Sequence, residues 1–319
     1  MMVYATEPSP GFYTPVTAAD GNTYYAVIGT KSESGTTKTY QITENIDVTS
    51  RIIVKGTVEL TLDEGATLHA RKGIELSADN NANLTINGLG ALTIDGCNKG
   101  KSGIGSEKVG TLTIDGGTIT TSGGQYAAGI GGDYASTSGG SITINGGVVN
   151  AWGGSFAAAI GGAASGSQDS PCGDIVINGG QVTAMGNTVY GIGPGLTSGS
   201  GYQNGSLTLG WTSQDNFVYI SNCSNDSYSS WSLSSITIAE GKTLYDEDGG
   251  EHSSGSVGDI YGKTLRPYDY CLVLNNDADN GEAIDDANGK VYNVTLSDRT
   301  LFKDGNWNTL CLPFDVTVG

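Results

Sequence analysis

The sequence predicts an all-β fold, a right-handed parallel β-helix, on three observations. The chain repeats itself about every 30 residues, each repeat alternates apolar and polar residues, and glycine sits at the joints between the alternating pieces. The repeat reads "TLTIDGGTITTSGG" from Thr111, "SITINGGVVNAWGG" from Ser141 and "DIVINGGQVTAMGN" from Asp174, with a shorter "SLTLG" from Ser206, so the starts lie 30, 33 and 32 residues apart. Each unit continues into a second signature, "AAGIGG" ending at Gly132, "AAAIGG" at Gly162 and "YGIGPG" at Gly195, preceded by "SGIGS" from Ser102. Units this short cannot bury an apolar face alone and must stack.

The alternation fixes which side faces in. Leu112 and Ile114, Ile142 and Ile144, Ile175 and Ile177, and Leu207 and Leu209 share one parity, and Thr113, Thr143, Val176 and Thr208 the other. The aliphatic set is the expected core, joined by Ile104, Ile130, Ile160 and Ile192 from the second signature, with Ala128 and Ala158 leaving room in a narrow interior. Asp95, Asp115, Asn145 and Asn178 each precede glycine and are expected to take left-handed backbone and cap their own turns. No helix is required.

Domain boundaries follow from where the pattern starts and decays. Residues 1–50 read as a strand-bearing N-terminal cap over the open end, and 51–265 as the parallel β-helix, with "RIIVKGTVELTLDEGATLHARKGIELS" supplying its first coils. Residues 266–290 read as an acidic linker, and 291–319 as the beginning of a truncated second β domain.

Composition bounds the function. With 37% hydrophobic residues in 319, the chain can bury a core, and 51 glycines without a G-X-Y run exclude collagen. A formal net charge of −18 argues against nucleic-acid partners. From Val109 to Gly241 there is no Lys, Arg or His, against seven acids: Asp115, Asp133, Asp169, Asp174, Asp215, Asp226 and Glu240. No run of about 18 apolar residues occurs, so no span of a membrane is expected. The five cysteines, Cys97, Cys172, Cys223, Cys271 and Cys311, are widely spaced without a C-x-x-C and read mostly as small buried residues. The opening "MMVYA" fits the end of a secretion signal, Val3 and Ala5 suiting the small-residue cleavage pattern.

Taken together, "SRIIVKGTVELTLDEGATLHARKGIELS", the "AAGIGG" and "ITINGG" coils and the closing "LFKDGNWNTLCLPFDV" resemble the repetitive β-helix cell-surface proteins of gut anaerobic bacteria, over most of residues 50–319. The resemblance implies an exported, surface-associated protein, within a superfamily that holds both pectate-lyase-like enzymes and non-catalytic carbohydrate-binding modules. No family catalytic motif has a counterpart here.

Catalytic chemistry finds little support in the residues. A polysaccharide lyase needs a basic group near its substrate, and Arg51, Arg71, Lys72, Lys99, Lys101 and Lys108 all fall in the N-terminal coils, where "HARKG" reads as a solvated turn. A glycosidase needs two carboxylates about 5–9.5 Å apart. Asp133 and Asp174 fall in different loops and read as solvated, and Asp115 stands in register with Asn145 and Asn178 as a turn residue. "DEDGGE" from Asp246 and "DADNGE" from Asp277 read as solvated turns, since neither completes an EF-hand loop, and the "GGxGxD" of calcium-binding solenoids is absent. Ice binding is disfavoured by Asp174 in the plane of the outward threonines.

The expectation is therefore a non-catalytic surface module, adhesin or stalk, that works as a monomer within a larger chain, with no catalytic residue, metal or cofactor. Its expected partner is a polysaccharide or host glycan, and a lyase or glycoside hydrolase on the same scaffold is the rival reading. Trp152 marks the expected glycan site because its parity points it outward, where the neighbouring coils carry Ser122 and Met185, with Tyr126, Tyr134 and Phe156 as a rim. Tyr126 and Phe156 occupy matching positions and suit an aromatic stack across coils at a corner better than a sugar contact.

Overall fold

In a computed structural model, the structure describes residues 26–29, 36–166, 170–197, 205–211, 213, 215–224, 232–233, 235–255, 260–267, 271–275, 279–281 and 293–297. The chain forms two compact units, Met1–Tyr268 and Asp269–Gly319. In the second, the strands Cys271–Asn275 and Asn293–Ser297 pair in parallel. The first of these begins inside the segment read as a linker.

The first unit is a parallel β-helix with three sheets running along its length. The first sheet stacks Ala26–Gly29, Ile52–Lys55, Ile74–Glu75, Ile104–Ser106, Ile130–Gly132, Ile160–Gly161 and Ile192–Gly193. The second runs from Thr37–Ile42 through Thr57–Leu62, Asn83–Gly88, Thr111–Ile114, Ser141–Ile144, Asp174–Ile177 and Ser206–Leu209 to Thr237–Ile238. The third runs from Ile46–Val48 through Thr67–Ala70, Ala91–Ile94, Thr118–Ser122, Val148–Trp152, Gln181–Met185 and Phe217–Ile220 to Lys263–Leu265. Every neighbour pair in these sheets is parallel except the last, where Lys263–Leu265 runs antiparallel to Phe217–Ile220. One turn of 3-10 helix, Ala78–Asn80, interrupts the strands, its N-terminus capped by the Ser77 hydroxyl, which accepts from the Asp79 N–H at 3.3 Å.

The register is the one the alternation dictates: Leu112 faces Ile142, which faces Ile175, which faces Leu207. These residues, with Ile104, Ile130, Ile160 and Ile192, are buried in one continuous core. Along the first sheet Gly105, Gly131 and Gly161 have φ of 149°, 132° and 129°, and a Cβ on Gly131 would lie 2.0 Å from the Gly161 carbonyl oxygen. Glycine is needed there because the next coil's backbone occupies the place of a side chain.

Two expectations are corrected. The strands Ala26–Gly29, Thr37–Ile42 and Ile46–Val48 already supply the first rung of all three sheets, with Tyr40 and Ile42 buried by the same alternation, so they belong to the solenoid and not to a separate cap. Residues 1–25 and 30–35 lie outside the described part. The left-handed turn residues are the second glycines, Gly117, Gly147 and Gly180 at φ 80–85°, and not the preceding Asp and Asn. The polar side chains instead bond from coil to coil: Asn145 donates to Asp115 at 2.7 Å and Asn178 donates to Asn145 at 2.9 Å. Stacking in register brings equivalent side chains within one strand spacing, where an amide can donate to one neighbour and accept from the other.

Candidate functional site

Among the described residues of the β-helix, three groups of charged side chains hold the chain to itself, beside the single pair Lys108–Asp79 at 3.3 Å. Arg51, immediately before the first-sheet strand Ile52–Lys55, sends one Nη to the carbonyls of Lys72 and Ser102 at 2.9 and 2.8 Å and the other to Gly105 at 3.0 Å. Asp133 lies 3.5 Å from it and accepts from the Ser102 N–H and hydroxyl, both at 2.7 Å, and from Lys101 at 2.8 Å. Asp133 is 4% exposed, so the expectation of a solvated loop carboxylate fails for it. A buried carboxylate persists because three donors and the neighbouring Arg51 charge replace its water. Cys97 donates to the Ser102 carbonyl at 3.4 Å beside this group, and burial pushes its thiol up to about 11. Cys172, fully buried, is pushed up to about 12 for the same reason. Neither is a thiolate near neutrality.

The loop carrying Arg71 and Lys72 is equally engaged. Arg71 makes a two-pronged pair with Asp47 at 2.8 Å, which holds the Asp47 carboxyl below its ordinary value, and Lys72 donates to the Gly96 carbonyl at 3.0 Å. His69 bonds Asp95 at 2.8 Å.

The third cluster corrects the reading of "DEDGGE" as a solvated turn at Asp246 alone, since Glu247, Asp248 and Glu251 are exposed. Asp246 is 9% exposed and accepts from the N–H groups of Asp248 and Gly250 at 3.0 and 2.8 Å, with His252 at 3.1 Å and Lys263 at 3.3 Å. Burial alone would raise its pKa, but bonds from Gly250, His252 and Lys263 outweigh it and hold the carboxyl down to about 2. Asp174 differs: it is exposed and accepts from the Ser206 hydroxyl at 2.7 Å. Among the described residues no group of three or more His, Cys, Asp or Glu is placed to hold a metal ion. Of "DADNGE", Asp277 and Glu282 lie outside the described residues.

The four aromatic residues expected at the glycan site divide into two sets. Tyr126 and Phe156 stack across neighbouring coils, with ring centroids 6.1 Å apart and planes 12° apart, and Tyr134 tilts against Tyr126 at 5.9 Å. Lys99, from the preceding coil, places its ammonium 5.2 Å from the Tyr126 centroid. Tyr126 therefore has Lys99 on the coil before it and Phe156 on the coil after, the corner arrangement, and its face is taken. Tyr134 is 47% exposed.

Trp152 ends the strand Val148–Trp152 on the third sheet, 39% exposed, and no ring contact joins it to the corner stack among the described residues. Its strand neighbours are Ser122 and Met185. The inward residues of the same strands, Val149, Ala151, Val182, Ala184, Val218 and Ile220, are all buried. By alternation Thr120, Asn150, Thr183 and Tyr219 form the adjacent outward row, each half-exposed. Tyr219 was not legible as part of this face, because the repeat fades after Ser206 and its strand carries no glycine signature.

The fold and these surfaces define a β-helix repeat protein. Residues 112–134, 142–166 and 175–196 each match the family model described as Beta helix repeat. No curated protein and no solved structure matches the chain. No helix among the described residues is long and apolar enough to cross a membrane.

Proposed function

We propose that this chain is a non-catalytic module of an exported cell-surface protein, an adhesin or stalk, that contacts glycan through the outer face of its third sheet around Trp152. The observation that carries the reading is the indole itself. A 39% exposed tryptophan on a regular sheet of small and hydroxyl side chains gains little for the fold, and aromatic faces are a general means of holding sugar rings. The charge clusters support a scaffold over an enzyme, because Arg51, Asp133, Arg71 and Asp246 spend their hydrogen bonds within the chain. Tyr134 belongs to the rim by its exposure, whereas Tyr126 and Phe156 serve the corner.

A glycan array probed with the intact solenoid tests the reading, paired with Trp152→Ala. The expected result is a bound glycan whose affinity falls by about 1 kcal/mol or more in the variant while the melting transition barely moves. A loss of several kcal/mol of stability would instead make the indole a packing residue. Release of reducing or unsaturated sugar ends on turnover would replace the proposal with the lyase or hydrolase reading.

A further inference from the structure

Resting on that reading of a glycan contact, we propose that the third sheet's outer face is a track for an extended, uncharged polysaccharide that runs along the solenoid axis across several coils. Trp152 and Tyr219 hold sugar faces, and Asn150 and Thr183 hydrogen-bond hydroxyls between them.

Charge selects the ligand class. The outward residues of the strands Thr118–Ser122, Val148–Trp152, Gln181–Met185 and Phe217–Ile220 are Thr118, Thr120 and Ser122, then Val148, Asn150 and Trp152, then Gln181, Thr183 and Met185, then Phe217 and Tyr219. None is ionisable near neutrality. This neutral stretch lies in a protein of formal charge −18, so an anionic polymer is repelled by its surroundings and meets no cation between Thr118 and Met185, Arg266 standing only over Phe217 at the far end. Its ends are charged. On one side stand Asp47, His69, Arg71 and Asp95, paired among themselves. On the other, Glu247 accepts from the Thr264 N–H at 2.6 Å and Arg266 covers the Phe217 ring at 5.3 Å. What remains between offers hydroxyl, amide and aromatic groups, the chemistry that matches a polyol with apolar ring faces.

Geometry selects an extended chain. Thr120, Asn150, Thr183 and Tyr219 stand in one row across four successive strands, with Ser122, Trp152 and Met185 in the row beside it. Successive rungs repeat at about 4.8 Å, and an extended pyranose chain advances by nearly that distance per sugar, so each sugar meets one coil.

The test is isothermal titration of the intact chain with soluble neutral polysaccharides (xyloglucan, glucomannan, galactan) and with polygalacturonate and heparin as anionic counterparts. The variants are Trp152→Ala, Tyr219→Ala, Thr183→Arg on the track and Thr143→Arg on the second sheet, each checked for an unchanged melting transition. Expected are binding of a neutral polymer, about five-fold loss for each aromatic variant, near-complete loss for Thr183→Arg, and no effect of Thr143→Arg. Oligosaccharides too short to span Trp152 to Tyr219 should lose the Tyr219 dependence.

If Trp152→Ala weakens binding while Tyr219→Ala and Thr183→Arg do not, the track is overturned and the local contact at Trp152 stands. A preference for the anionic polymers also overturns the track. Were light scattering to show a dimer that Thr183→Arg dissociates, the face would be a self-interface. If no glycan binds, or Trp152→Ala is silent, the underlying reading fails with it.

Discussion

At the scale of single residues, Tyr126 and Phe156 adopt a backbone that aromatic residues rarely take, with φ of 74° and 62°. The equivalent position one coil earlier is Gly100, at φ 77°, which adopts it without strain. The ring stack is what offsets the strain in the next two coils. Phe156→Ala removes the ring and keeps the strain, whereas Phe156→Gly removes both, so the glycine variant should be the more stable by about 0.5–1 kcal/mol in chemical denaturation, against the usual order. A glycine variant less stable than the alanine one would show that the left-handed backbone costs nothing here. Asp133 gives the larger effect. Asp133→Ala leaves Arg51 as an uncompensated buried charge, and unfolding midpoints should report a loss of about 3–5 kcal/mol. Neither burial was readable beforehand: the bonding partners of Asp133 lie 31 and 32 residues away in sequence, and Arg51 lies further still. A carboxylate before Tyr134 in a glycine-rich loop has no local mark of burial.

At the scale of an element, the turn from Asp246 to Lys263 is a pH-dependent fastening. The Asp246 pKa is lowered from 3.8 to about 2, so its stabilising contribution is complete above the ordinary value and is lost as pH falls through about 2. Lys263 is raised to about 12, mainly by Asp248 and then Asp246, and stays charged throughout that window. Asp246→Asn should lower the neutral-pH melting temperature and flatten its decline between pH 4 and 2; an unchanged acid limb would place the titration elsewhere. Elements were legible wherever period-two alternation met glycine punctuation, so Leu112, Ile142 and Ile175 and the outward parity of Trp152 follow from spacing alone. The first coil was hidden because "KTYQITENIDV" carries strands without the glycine signature, and Tyr219 was hidden for the same reason. The ladder from Asp115 to Asn178 was misassigned because one residue type serves a turn or a cross-coil bond equally well, and register decides which.

At the scale of the whole molecule, stability is a sum of coil-on-coil contacts, and the glycine row sets how closely coils approach. Gly131→Ala places a methyl group against the Gly161 carbonyl and a Cβ on a φ of 132°, so it should cost about 3 kcal/mol or more and, by separating two coils, split or broaden the single unfolding transition. A single transition at an unchanged midpoint would mean that the spacing relaxes freely. The antiparallel strand Lys263–Leu265 bears on something else. A solenoid is its own template: each rung presents an unpaired row of amides and carbonyls that a further parallel rung, from any chain, can extend. Laying a strand of opposite polarity on Phe217–Ile220, with Lys263 anchored to Asp246 and Asp248 on it, ends that copying in the third sheet. Remove it and Phe217–Ile220 becomes an open edge of like polarity, so a chain lacking Lys263–Leu265 is expected to associate end to end more readily than the intact one; the short reversed strand closes this one edge to copying.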